Sequence, residues 1–309
     1  RRPPRSTLFP YTTLFRSQAV KRLLRRLLSG SGPDPATPVR RMVFVSVDCE
    51  MTGLNPARDD LLAMGAVALR GTRMDLSATF RGLLRPACPV RPEGVPVHGI
   101  LPGEAAHGHE AAAELARFDA WVAGFATVPG AGRGAGEPVV LLGWCLGLDE
   151  AFLAAGRKRA GLPARTHPRC DVLDLFRHVH AGAHGTARSI TAPRSTERGY
   201  NATELRPSDT GCSAAVHHPV TPGSPDMLAA LADIPLKDAD LYAVARTLGV
   251  DVHGVHDALG DACLCAQVFQ RLVPLLERRL GRKAVWGDLA RTAHAAACGA
   301  RGGGGAFGL

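Results

Sequence analysis

The sequence predicts an α/β domain built on a mixed sheet, from three observations. Short apolar runs of strand length come first, at 43–48, 61–69 and 76–84. Longer segments with helical spacing follow, interleaved with one further short apolar run at 139–142. Strands first and helices interleaved with strands afterwards is the pattern of a sheet covered by helices. Of the 309 residues, 46% are hydrophobic, enough for a sizeable core.

The regular part begins at Met42. Residues 43–48 read as a strand, and 61–69 and 76–84 as two more, joined to the first in an antiparallel meander. The proline-rich stretch Pro86 to Pro102 reads as loop. Residues 109–126 place Leu115, Phe118, Trp121, Val122 and Phe125 near one helical face. Val139 to Leu142 reads as a buried strand, Asp149 to Arg159 as a helix and Asp171 to His180 as another. Residues 182–226 lose all periodicity and are read as a long insertion or disordered loop. Helices return at 238–248 and at about 257–279, and 281–309 is read as a C-terminal tail. The domain is therefore expected in two parts, 42–181 and 227–280.

Residues 1–41 read as a basic tail, with ten Lys/Arg and one acid, Asp34. Within it, residues 1–17 resemble a peptide produced when sequencing-adapter DNA is translated, and 18–29 have the pattern of a short basic amphipathic helix. The tail holds the whole charge excess of +9, because 42–309 carry 27 basic and 27 acidic residues. Charge alone therefore does not mark a nucleic-acid binder. Two local basic clusters, Arg157, Lys158, Arg159, Arg165, Arg169 and Arg278, Arg279, Arg282, Lys283, read as solvated helix faces or as phosphate contacts. No run of 18 apolar residues occurs, so neither a spanning helix nor a membrane partner is expected. Eight scattered cysteines without a C-x-x-C pair suit reduced thiols and a cytoplasmic location.

The most informative residues are Asp48 and Glu50, two apart on the first strand. Residues i and i+2 of a strand share a face, so both acids project together. Two carboxylates that close repel unless a cation lies between them, and hard oxygen donors suit Mg²⁺ or Mn²⁺. Asp149 lies just past the strand 139–142, where sites in open α/β sheets collect, and reads equally as a helix N-cap. His256 and Asp261 are five apart, about 140° around a helix, and do not share a helical face. They converge only if His256 lies in the loop before the helix and folds back. Taken singly, a solvated strand end, a cap and a surface histidine are the plain alternatives.

Together these residues resemble the DEDDh family of 3′–5′ exonucleases, which includes the proofreading subunit of bacterial DNA polymerase III. The resemblance rests on Asp48-Cys49-Glu50-Met51-Thr52-Gly53, on Gly143-Trp144-Cys145-Leu146-Gly147-Leu148-Asp149, and on His256 with Asp261. It implies an RNase H-like domain with a mixed five-stranded sheet and flanking helices. It also implies two-metal phosphodiester hydrolysis with Asp48, Glu50, Asp149 and Asp261 as metal ligands and His256 as general base. Met51, Thr52, Gly53 and Trp144 would lie against the terminal nucleotide. The implied cofactor is a pair of Mg²⁺ or Mn²⁺ ions. The implied partners are 3′ ends of single-stranded DNA or RNA, and a DNA polymerase. The chain departs from the family at Trp144 and Cys145, where His and Asn are usual, which bears on substrate choice. An exoribonuclease of the same family and a non-catalytic nucleic-acid-binding module are the other readings.

Overall fold

A computed structural model describes residues 32–126, 139–187, 230–231, 234–236, 239–253 and 256–299. The adapter-like residues 1–17, the amphipathic stretch 18–29 and most of the expected insertion (188–226) lie outside the described residues.

The sheet is formed by β1 (Val43–Met51), β2 (Leu61–Arg70), β3 (Arg73–Leu83), β4 (Val140–Gly143) and β5 (Arg169–Asp171). Its order is β3-β2-β1-β4-β5. β1 pairs antiparallel with β2 and parallel with β4, β2 pairs antiparallel with β3, and β4 parallel with β5. This is the mixed five-stranded sheet of an RNase H-like domain. The β2–β3 connection is tight because Gly71, at φ +62°, takes the left-handed backbone that such hairpins demand.

The described helices are α1 (Val95–His98), α2 (Pro102–Ala105), α3 (Ala111–Phe125), α4 (Gly147–Arg159), α5 (Val172–Ala187), α6 (Leu241–Thr247), α7 (Ala258–Leu280) and α8 (Trp286–Gly299). Two cores flank the sheet. On one side, Val45, Val47 and Cys49 of β1 pack with Leu115 and Phe118 of α3 and Phe152 of α4. On the other, Phe44 packs on Phe269 of α7 at 5.1 Å, among residues of α5, α6 and α8. The alternation along β1 thus aims Asp48 and Glu50 at the α7 side.

Several boundaries differ from the sequence reading. β1 continues through Met51, so Asp48 and Glu50 stand inside the strand rather than at its end. The three residues of β5, Arg169–Asp171, are too short to give a periodicity, and the helix expected from Asp171 starts at Val172. That helix runs to Ala187, so 182–187 belong to it and not to the insertion. The segment 281–309 is not all tail: it contains α8, whose Trp286 and Leu289 are buried in the core. The end of the basic tail is also docked. Val39 is buried and its N–H donates to the Ala284 carbonyl, while Trp286 N–H donates to the Thr37 carbonyl. α7 is apolar and long enough to cross a membrane, yet 61% of its most apolar window is buried, the packing of a core helix.

The two basic clusters are largely committed to carboxylates. Arg157 is buried and forks onto Asp119 with two 2.5 Å bonds. Arg169 pairs with Glu150, Arg282 with Asp288 and Lys283 with Glu277.

Candidate active site

The site begins with a glycine. Gly65 of β2 stands opposite Asp48 in the β1–β2 register. A Cβ there would lie 2.1 Å from the Leu259 nitrogen and 2.2 Å from the Ala258 carbonyl carbon. Glycine inside a strand marks close approach of another backbone, and here that backbone is the first turn of α7. Asp257 caps this turn by accepting the Gly260 N–H at 3.0 Å, and Arg81 of β3 pairs with Asp257 at 2.9 Å. Lowered onto the sheet, α7 delivers Asp261 to the two acids of β1. One carboxylate oxygen each from Asp48, Glu50 and Asp261 lies within 4.8 Å of the others.

Asp149 enters from the opposite side, in the first turn of α4. It is buried, and its Oδ1 accepts the Cys49 N–H at 3.0 Å. It lies close enough to raise the proton affinity of Asp48, but the group of three that converges does not include it.

The electrostatics follow from burial and mutual repulsion that outweigh the hydrogen bonds these acids accept. Burial first, and then the charges of Asp149, Glu50, Asp261 and Asp257, hold the Asp48 carboxyl well above the ordinary carboxylate range. Burial, then Asp261 and Asp149, push Glu50 up to about 8. Burial pushes Asp149 up to about 7 against the bond from Cys49. Asp261 is also raised by burial, opposed by bonds from Tyr242 and from the His256 backbone. A cluster of oxygen donors that must hold protons when alone is the donor set a hard divalent cation fits. Asp48, Glu50 and Asp261 are the residues that would hold it, with Asp149 beside them.

His256 meets the condition set by its spacing. It lies outside α7, in a left-handed backbone at φ +61°, unusual for a residue with a side chain. The chain folds back so that His256 N–H donates to Asp261 Oδ2 at 3.1 Å. The imidazole is exposed, at the rim of the acidic group.

The loop after β1 is held by its own contacts. Thr52 is buried, and its Oγ1 accepts the Asp60 N–H at 2.9 Å and touches Cys88 Sγ at 3.1 Å. A Cβ on Gly53 would meet the Asp59 carboxylate at 2.5 Å. Asp59 is itself buried, accepts the Asn55 N–H and pairs with Arg91. Arg159 ties the loop to α4 by donating to the Pro56 and Asp59 carbonyls. Met51 is half-buried at the strand end. Trp144 is half-buried as well, with its ring 6.2 Å from Phe176 at the edge of the core. Cys145 is exposed and takes a left-handed backbone at φ +55°.

Comparison with known proteins bears on the fold and on the class of domain. The exonuclease family model, RNase_T, matches residues 45–132. The matched domain is that of a nuclease. The match covers β1 to α3 with Asp48 and Glu50, and stops before Asp149, His256 and Asp261. No protein of curated function matches the chain by sequence. Among solved structures, the chain is similar to E. coli exonuclease I in a zinc-bound complex with single-stranded DNA, at 18% identity and a TM-score of 0.50. It is similar to the same enzyme in complex with a dT13 oligonucleotide, at 18% identity and a TM-score of 0.51. Both alignments cover 78% of this chain and 42% of exonuclease I, so the chain spans well under half the length of that protein. At that identity the likeness is one of fold.

Three contributors escaped the sequence reading. Gly65 was visible as a glycine inside an apolar run, the ordinary mark of close packing. Asp257 had the signal of an N-cap before an apolar helix. Tyr242 carried no signal, since nothing local in 238–248 distinguishes it from a helix residue.

Proposed function

We propose that the protein is a metal-dependent 3′–5′ exonuclease that removes nucleotides from the ends of single-stranded nucleic acid, DNA favoured. The observation that carries this reading is the convergence of Asp48, Glu50 and Asp261 within 4.8 Å, with the backbone of His256 bonded to Asp261. The exonuclease-family match over 45–132 supports the reaction class. Single-stranded DNA is the favoured substrate because the exonuclease I structures of similar fold hold it. The polymerase-type subfamily and a polymerase partner rest on the motif resemblance alone.

In this reading Asp48, Glu50 and Asp261 are the ligands of two Mg²⁺ or Mn²⁺ ions, and Asp149 completes the set. When bound, the ions stabilise negative charge on the attacking and leaving oxygens of the scissile phosphodiester. His256, exposed at the rim, accepts the proton of the attacking water. A neutral imidazole suits that task near neutral pH. Thr52 and Gly53, fixed by Asp59, Asp60 and Arg159, form a rigid wall against which the terminal nucleotide rests. Trp144, half-buried against Phe176, is assigned to the nucleotide by the motif resemblance alone.

The test is incubation with 3′- and 5′-labelled single-stranded DNA and RNA in Mg²⁺, Mn²⁺ or chelator. Nucleoside monophosphates should leave from 3′ ends, and only with metal. Asp261→Ala should abolish turnover, and His256→Ala should slow it by about 10²–10⁴. Undiminished cleavage in chelator, or a ladder shortening from the 5′ end, overturns the proposal.

A further inference from the structure

Tyr242 lies on α6, across from the start of α7. Its ring packs against the core, and its hydroxyl reaches the one place where the third acid and the histidine meet. The hydroxyl donates to Asp261 Oδ2 at 2.7 Å. The same oxygen stands 3.3 Å from the His256 backbone nitrogen and 3.4 Å from His256 Nδ1. The two rings meet edge to face, with centroids 5.6 Å apart and planes at 79°.

A phenol carries a single proton. With that proton given to Asp261, the Tyr242 oxygen can only accept from its other neighbours. Facing it, His256 Nδ1 must then be the nitrogen that bears hydrogen in the neutral ring, and the lone pair is left on Nε2. Asp261 is constrained in the same way. Its Oδ2 receives two donors, the Tyr242 hydroxyl and the His256 N–H, which leaves Oδ1 as the oxygen open to a cation.

We infer that Tyr242 is a positioning residue that selects the tautomer of His256 and the presenting oxygen of Asp261 through one hydroxyl. The inference rests on the proposed role of His256 as proton acceptor. It adds that the acceptor is Nε2 and that a residue outside the motifs makes it so. Partners that orient a histidine or a carboxylate typically matter 10–100-fold.

Tyr242→Phe keeps the ring and deletes only the hydroxyl. Long-range ¹H–¹⁵N spectra of the full-length, histidine-labelled, metal-free protein read the tautomer directly, with His256→Ala assigning the signal. In the parent, neutral His256 should carry its proton on Nδ1. In Tyr242→Phe the signal should shift toward the Nε2-protonated form. The variant's kcat on a single-stranded oligodeoxynucleotide with Mn²⁺ should fall by about 10–100-fold, with KM and melting temperature held. A parent His256 protonated on Nε2 overturns the inference without recourse to the variant. So does a Tyr242→Phe protein with unchanged tautomer and unchanged kcat. If His256→Ala slows turnover while Tyr242→Phe does not, the inference alone falls. If His256→Ala and Asp261→Ala both leave turnover untouched, the functional reading beneath it falls too.

Discussion

The acidic cluster makes a prediction about stability that needs no substrate. In the metal-free protein Glu50 is raised from 4.5 to about 8, Asp149 is raised from 3.8 to about 7, and Asp48 and Asp261 are raised as well. Between those values the folded protein binds more protons than the unfolded chain. Stability must therefore fall as pH rises. The contribution of Glu50 is full below about pH 4.5 and is lost as pH rises through about 8. At about 1.4 kcal/mol per pH unit, Glu50 alone accounts for on the order of 5 kcal/mol over that window. For a domain of this size 1 kcal/mol moves the melting temperature by about 2–4 °C, so the loss should amount to roughly 10–20 °C. The assay is thermal denaturation followed by circular dichroism from pH 5 to 8.5, in chelator and in excess Mn²⁺. The cation should stabilise the protein by about 2.7 kcal/mol at a hundred times its Kd, and the resulting rise in melting temperature at a fixed Mn²⁺ concentration should be largest at high pH. Glu50→Gln removes one charge and should flatten the slope in chelator while weakening the response to Mn²⁺. A parent protein whose melting temperature in chelator does not fall with pH refutes the reasoning. A Glu50→Gln variant that keeps the full slope refutes it equally.

Three further outcomes follow from the packing. Gly65→Ala places a methyl 2.1 Å from the Leu259 nitrogen and should cost about 1–3 kcal/mol or more as α7 is pushed off the sheet. Weaker Mn²⁺ stabilisation in melting experiments should accompany that loss. Cys145→Asn should stabilise by about 1 kcal/mol, because asparagine tolerates the left-handed backbone that Cys145 holds at φ +55°, whereas Cys145→Val should destabilise. Comparison of the two melting temperatures decides it. A chain beginning at Met42, where the regular part of the sequence starts, should melt lower than one beginning at residue 32, since it strips Val39 and the Thr37 carbonyl from Ala284 and Trp286. Equal melting temperatures would show that 32–41 contribute nothing.

Much of the site was legible because its chemistry is local. Asp48 and Glu50 sit two apart on an apolar run, and a strand's two-residue period forces them to one face. The five-residue spacing of His256 and Asp261 was equally readable as a condition, since a helix cannot bring them together and a loop can. The structure meets it through the left-handed turn at His256. Less was legible where length or distance defeats a local pattern. β5 is three residues long, and α8 lies beyond what read as the end of the domain. The basic clusters could not be told from phosphate contacts, because their partners Asp119 and Asp288 are assigned by packing, not spacing.

By itself, then, the sequence determined the alternation of β1, the apolar face of α3, and which four acids and which histidine are candidates for the site. These depend on neighbours within one turn or one strand, where covalent geometry sets direction. The tertiary structure alone decided that Gly65 admits α7 to the sheet, that Asp261 thereby reaches Asp48 and Glu50, and that Asp149 is tied to Cys49. It alone brought Tyr242 against the histidine. Such contacts join residues far apart in the chain, and burial and close packing select them. No local period encodes which distant backbone will occupy the space a missing side chain leaves.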